Sequence, residues 1–504
     1  MPSPETGKAG AATGALGRST MSGFLWLMMQ SLGGRVASLV GQMVLAWFLV
    51  PADFGIVALA YSITSIAQVV ASFGVDQVLL QRLRTLHRWT TPASWVALGV
   101  GLAAFTGVVV AAPIAARIYR SPQIVPIAAI AALAMPLGAL SMPSSVALRA
   151  RMNFRFLASY NLAEVVLTQV LTAVLAWRGF GPYSFVLPLP LLALVKAAVL
   201  QAAAPVKRRG RIRRRQLGYL ISRGSSVLGS GLITSAVDQG DYMVLGLFAT
   251  HAVVGLYYFA FRLAAQPMRM LAGNFTNVLL PALAQLRLEP DRQRAAAYSA
   301  AQVLSYVVVP LCFLQAALAD PALSLFFGAK WRGSVPFIQI LSLGLPFDAV
   351  SWVAGAMMSA RGHFRRQLAY SCLFSPWFFV LAVTGAVLAK GVGVACGVSL
   401  FYFCAGPIYS STVFGQKGRR LAELFDLYVT PYALAAAAVG AAYAASFAPL
   451  LHGSALVRLV WIGACGPLAY AGLMFAFRRS LLREILDRFG VRRRLVRFGL
   501  IRSA

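Results

Sequence analysis

Fourteen apolar stretches, each long enough to cross a bilayer and each closed off by polar or basic residues, constrain this chain more than any other feature. About 20 apolar residues span the hydrocarbon core as a helix. Lipid offers no partner to an unpaired N–H or C=O, so a spanning segment must satisfy its own backbone. The stretches lie near 23–49, 54–80, 93–116, 123–148, 156–177, 181–204, 222–249, 253–281, 297–327, 336–359, 367–389, 391–414, 429–449 and 455–477. The expected fold is therefore an all-α polytopic membrane protein of about fourteen transmembrane helices. Its longer spans are expected to extend beyond the bilayer or kink at Pro113, Pro136, Pro267 and Pro310.

The charges decide the orientation. Only 12% of the 504 residues are charged, against roughly 25% in soluble domains, yet the formal net charge is +31. Thirty-four of the 45 basic residues fall in alternate loops and the tails, and seven fall in the other loops. That asymmetry places both termini in the cytoplasm of a multi-pass inner-membrane protein. Basic clusters confined to loops between apolar runs also argue against nucleic acid as a partner. The five cysteines and four histidines have no metal-ligand spacing, and no HExxH, P-loop or GxSxG stretch is present. The chain is read as carrying no catalytic residue, no metal site and no enzymatic activity.

The sequence repeats itself. MVLAWFLVPADFGIVALA (Met43–Ala60) aligns without gaps on MVLGLFATHAVVGLYYFA (Met243–Ala260), with seven identities that include Gly55 and Gly255. ARMNFR at 150–155 matches ARGHFR at 360–365, and AVLAWRGFG at 173–181 matches AVLAKGVG at 386–393. Two six-helix repeats in the same orientation form two lobes around a central cavity. The expected layout is a disordered cytoplasmic tail at 1–20, an N-lobe at 21–205 and a basic linker at 206–218. A C-lobe follows at 219–415, two further helices at 416–477 and a basic amphipathic cytoplasmic tail at 478–504. That tail suits the anionic inner leaflet, or serves only as a topology anchor.

Polar stripes run through the leading helices of both halves. Ser31, Arg35, Ser38 and Gln42 share one face of the first span, and Tyr61, Ser65, Gln68, Ser72 and Asp76 share one face of the second. In the second half Thr234, Asp238 and Asp241 recur at helical spacing, followed by Arg262, Gln266, Arg269, Gly273 and Asn277. The fifth span adds Asn161, Glu164, Thr168 and Thr172. An arginine near the bilayer centre costs roughly 2.5–3.5 kcal/mol on insertion scales. The charges can pair internally, Asp238 and Asp241 with Arg262 and Arg269, or they can line a cavity. Arg35, Arg262 and Arg269 are read as cavity-lining, and three guanidinium forks there favour an anionic ligand such as a diphosphate. Gln42, Gln68, Glu164, Asp238, Asp241, Gln266 and Asn277 are read as polar lining. Lys196, whose stem can snorkel to an interface, and Asp76, near the cytoplasmic end, are read as structural.

The stretches LVPADFGIVALA (Leu49–Ala60), FGVDQVLLQR (Phe73–Arg82), DYMVLGLFATHAVVGLYYFAFRLAAQP (Asp241–Pro267) and RGHFRRQLAYS (Arg361–Ser371) resemble one family. It is the Wzx-type oligosaccharide flippases, polysaccharide transporters of the multidrug/oligosaccharidyl-lipid/polysaccharide exporter superfamily. The resemblance covers about residues 20–415. It implies a carrier that flips undecaprenyl-diphosphate-linked oligosaccharide units from the cytoplasmic to the periplasmic leaflet by alternating access. The pathway would be exopolysaccharide, lipopolysaccharide O-antigen or capsule biosynthesis. It implies a cationic central cavity, which Arg35, Arg262 and Arg269 would supply, while Asp238 and Asp241 depart from a uniformly cationic one. No cofactor is expected beyond a coupling ion, proton or sodium. Expected partners are the lipid-linked oligosaccharide, membrane lipids, a polysaccharide polymerase and a chain-length regulator. The competing readings are a peptidoglycan-precursor flippase or a cation-coupled drug exporter of the same superfamily. From another class comes a membrane-embedded glycan polymerase or ligase, which the lack of any long loop between spans disfavours.

Overall fold

The computed structural model describes residues 26, 29–80, 86–206, 214–414, 420–448, 454–479 and 481, and these form helices and turns with no strand among them. The expected tail at 1–20, most of the basic linker and nearly all of the C-terminal basic segment lie outside the described residues. The chain divides into two compact units, Met1–Gly255 and Leu256–Ala504.

The first unit opens with α1 (29–48), α2 (Pro51–Ser72) and α3 (Val75–Leu80). Proline at the head of α2 gives up only an N–H that would be orphaned anyway. The Asp53 carboxylate accepts from the backbone N–H of Val50 at 3.3 Å, closing that terminus. The expected span over 54–80 is broken at Phe73 and Gly74, both left-handed with φ of 38° and 63°. Next come α4 (Leu86–Ile118), α5 (Ile124–Ala150), α6 (Phe154–Trp177), a 3-10 turn at Gly181–Phe185, α7 (Pro188–Ala203) and α8 (Arg214–Phe248). Glycines set the spacing. A Cβ on Gly33, Gly34 or Gly41 of α1 would meet Leu162, Val165 or Gln169 of α6, so the glycine face of α1 lies on α6. In the same way Gly231 and Gly246 let α8 approach Val69 and Leu59 of α2.

The repeat reappears in the backbone at the start of α9 (His251–Ala264). A Cβ on Gly55 would collide with the carbonyl of His251, and a Cβ on Gly255 would collide with the carbonyl of Pro51. These are equivalent positions of the duplicated sequence, meeting reciprocally.

The second unit continues α9 through α10 (Gln266–Gln285), α11 (Pro290–Phe326), α12 (Val335–Gly344), α13 (Phe347–Ala360) and α14 (Phe364–Phe414). Pro113, Pro136 and Pro310 lie inside α4, α5 and α11, whereas at Pro267 the chain is divided into α9 and α10. Within α14, Ala389 (φ −144°) and Lys390 (φ 47°) are non-helical, so it is two helices folded back on each other. They correspond to the expected spans 367–389 and 391–414. Gly385 faces Gly393, and Gly397 faces the Leu381 carbonyl, too close for any side chain. Gly385→Val or Gly393→Val should therefore destabilise the protein by about 1–3 kcal/mol, the cost of overpacking, read as a lower melting temperature in detergent.

Beyond α14 lie α15 (Arg420–Leu424), a π-helical turn at Phe425–Val429, α16 (Thr430–Ala445) and α17 (Ala455–Phe477). The last two pack on α11 through Tyr306, Val309, Ala435, Tyr470 and Met474. At one end of this bundle the Asp426 carboxylate accepts from Tyr298 at 3.1 Å, from Tyr306 at 3.3 Å, and from Gln302 and Arg478.

A second echo of the repeat closes α5 and α13. The N–H groups of Arg151, Met152 and Asn153 donate to Ala147, Arg149 and Leu148, and those of Arg361, Gly362 and His363 donate to Met357, Ser359 and Met358. Both are Schellman turns with a left-handed residue, Met152 at φ 56° and Gly362 at φ 75°. Methionine in that conformation costs roughly 1 kcal/mol relative to glycine. Met152→Gly should raise thermal stability by up to about that much, less what the unfolded chain gains in freedom.

Nine helices among the described residues are long and apolar enough to cross a membrane, ten if the bent pair Ala329–Gly344 and Phe347–Ala360 counts as one span. The expected spans 222–249 and 253–281 coincide with α8 and with α9 and α10. α8 and α10 carry Asp238, Asp241 and Arg269, which lower their apolarity, and α9 has only 14 residues.

Candidate functional site

The first unit holds a half-open cavity of about 730 Å³ among α2, α3, α4, α5, α6, α7 and α8. On α2 it is lined from Tyr61 to Ser72, about 16 Å along the helix axis. The break at Phe73–Gly74 then brings Asp76 to its rim, where the carboxylate lies 3.5 Å from Nη1 of Arg149. Two of the expected polar-lining residues are in this wall, Gln68 and Glu164.

Lys196 of α7 is there too. Its Nζ donates to Oε2 of Glu164 at 2.7 Å, with the two side chains only 27% and 23% exposed. Removing one partner of such a partly buried pair leaves the other uncompensated. Lys196 is thus a cavity residue and not one that snorkels to an interface. Because the pair keeps some solvent contact, Lys196→Met should cost about 1–3 kcal/mol, below the range for fully buried pairs. Adding Glu164→Gln should recover part of that loss, which a double-mutant cycle on melting free energies would read.

The hydroxyls of the wall are used in one direction. Thr64, Ser65, Ser72 and Ser141 each donate to a carbonyl three or four residues back on their own helix. Each oxygen keeps acceptor capacity, so the wall offers acceptors, the amides of Gln68 and Gln239, the Glu164–Lys196 ion pair and, at the rim, the Asp76 carboxylate paired with Arg149.

The other expected site residues are placed as follows. On α1, Arg35 is half-buried, one residue step round from the face that meets α6. Gln42 is 95% buried, and its Nε2 has no hydrogen-bond partner among the described residues. On α8, Asp238 is exposed and Asp241 is buried, accepting from the N–H of Tyr242 at 2.9 Å. Gln239, between them, is the α8 residue in the cavity wall. In the second unit Arg262 is exposed on α9, donating from Nη1 to the Tyr258 hydroxyl at 2.8 Å, with its guanidinium carbon 5.4 Å from that ring. Arg269 is exposed on α10 with its guanidinium carbon 5.9 Å from the Phe261 ring. Gln266 is half-buried at the start of α10. Asn277 is in α10, and its side chain lies outside the described residues.

Reading the sequence missed Lys196, Gln239 and the hydroxyls of Ser141 and Ser145. Glu164 and Lys196 are 32 residues apart on different helices, so no helical spacing links them. Among the described residues no three His, Cys, Asp or Glu side chains are grouped so as to hold a metal ion.

Known proteins bear on what such a unit belongs to. The succinoglycan biosynthesis transport protein ExoT of Rhizobium meliloti is 24% identical over 479 residues, covering 92% of this chain and 94% of its own. The lipopolysaccharide biosynthesis protein WzxC of Escherichia coli is 22% identical over 77% of this chain and 79% of its own. Among solved structures, the lipid II flippase MurJ in an inward closed conformation matches with a TM-score of 0.75 at 12% identity, over 91% of this chain and all of the MurJ chain. At that identity the likeness concerns the fold. The profile of the family described as "Polysaccharide biosynthesis protein" matches residues 44–336. This multi-pass membrane chain belongs to that polysaccharide biosynthesis protein family, the family of Wzx-type transporters.

Proposed function

We propose that the chain flips undecaprenyl-diphosphate-linked oligosaccharide repeat units from the cytoplasmic to the periplasmic leaflet of the inner membrane. It does so by alternating access, with both termini cytoplasmic, for exopolysaccharide, O-antigen or capsule assembly. The reading is carried by one observation, a charge-balanced polar cavity sunk among apolar helices. Polar groups in lipid are costly unless they face one another or a ligand that crosses. Arg35, Arg262 and Arg269 are assigned to the diphosphate, since a guanidinium fork matches its oxygens. Movement would be driven by a coupling proton or sodium ion, and a polymerase with a chain-length regulator would receive the product.

The test is complementation of a strain that lacks its own polysaccharide flippase. Expression of this chain should restore surface polysaccharide and clear lipid-linked repeat units from the cytoplasmic leaflet. Repeat units that instead accumulated in the periplasmic leaflet of cells lacking this chain would place it after translocation, as a polymerase or ligase, and overturn the reading.

A further inference from the structure

The cavity of the first unit is larger than any ion requires, and its chemistry does not suit an ion. Its one deep carboxylate, Glu164, already has a cation in contact, the ammonium of Lys196 at 2.7 Å. A free cation entering there would meet a like charge. An anion would meet a wall of acceptors, because Thr64, Ser65, Ser72 and Ser141 have each given their proton to their own helix. What remains favourable is a neutral ligand with many hydroxyls to donate and several oxygens to accept from Lys196, Gln68 and Gln239. At about 730 Å³ the space falls in the ordinary range for small-molecule pockets.

Resting on the flippase reading above, we propose that this cavity is a sugar subsite. It would hold one or more residues of the glycan by their hydroxyls; Arg35, Arg262 and Arg269, assigned to the diphosphate, are not among its lining residues. Glu164 accepts from sugar hydroxyls, Lys196 donates to a sugar oxygen, and the ion pair stays closed when no glycan is present. The pair is then a preorganised donor and acceptor set, which spares the cost of burying either charge alone.

Gly138 on α5 supplies the means to test this. It lines the cavity, and a Cβ built on it meets nothing within 4 Å. Gly138→Leu would therefore put apolar bulk into the space from a position where the first side-chain carbon meets no neighbour, and leucine also suits a helix better than glycine. The full-length protein in lipid nanodiscs is titrated with undecaprenyl diphosphate and with the same lipid carrying a disaccharide. The wild type should bind the glycosylated lipid about tenfold more tightly. In Gly138→Leu, and independently in Ser145→Leu, that difference should shrink to less than twofold while the melting temperature holds. If both variants keep the full preference for sugar, the subsite is elsewhere and the inference falls, while the flippase reading stands. Equal binding of both lipids by the wild type sinks the inference alone. Failure of the wild type to bind either lipid overturns the flippase reading together with it.

Discussion

Replacing Gly255 with valine should destabilise the protein by about 2–3 kcal/mol, and Gly55→Val should do the same. The two glycines are equivalent residues of the repeat, and each lies against a backbone carbonyl of the other's helix, Gly55 against His251 and Gly255 against Pro51. No rotamer change can relieve a Cβ against a carbonyl, so the helices must part. Gly107 on α4 is the control, since a Cβ there meets nothing within 4 Å, and Gly107→Val should shift stability by less than about 0.5 kcal/mol. Because the two positions form one contact, the double variant should cost clearly less than the sum of the singles. Melting of the purified proteins in one detergent reads all four. Additive losses at Gly55 and Gly255 would mean that the two do not share a contact.

The second large effect concerns the arginines. Arg35→Ala, Arg262→Ala and Arg269→Ala should each abolish glycan export in the complementation strain at normal protein levels, by tenfold or more if each fork is worth about 1.5–3 kcal/mol. Lysine at the same positions should rescue only in part, because it brings the charge without the fork. For Arg262, Tyr258→Phe is a further control. It removes the hydroxyl that accepts a hydrogen bond from the guanidinium at 2.8 Å and leaves the charge in place, so it should impair export less than Arg262→Ala. Full complementation by all three alanine variants would remove the arginines from the substrate path.

Much of the architecture was legible because lipid imposes it. The apolar windows predict the helices, and the break between 367–389 and 391–414 falls at Ala389 and Lys390. The duplication was legible through matched residues. The structure adds what they do, in the crossing of Gly55 with Gly255 and the paired turns at Met152 and Gly362. Periodicity reports which residues share a face of one helix, and no more. It put Gln68 and Glu164 on polar faces, but it could not pair Glu164 with Lys196, because that contact joins two helices. It also passed over Gln239, which stands about 100° around α8 from Asp238. The serines of α5 were hidden for another reason. In MPLGALSMPSS, Gly138, Ser141 and Ser145 recur at i, i+3 and i+7, but small uncharged residues are as common at a helix-helix contact as in a cavity wall, and only the cavity shows which they form here.

The most direct measurement of the central claim uses the purified protein in sealed lipid vesicles holding a fluorescent undecaprenyl-diphosphate oligosaccharide in both leaflets. A membrane-impermeant quencher added outside should extinguish about half of the signal at once. In vesicles containing the wild-type protein it should then extinguish the rest as inner-leaflet lipid flips outward, and in those holding Arg35→Ala it should not. A protected inner-leaflet signal that persists with the wild-type protein, across imposed proton and sodium gradients of either direction, would contradict the assignment of this chain as a flippase.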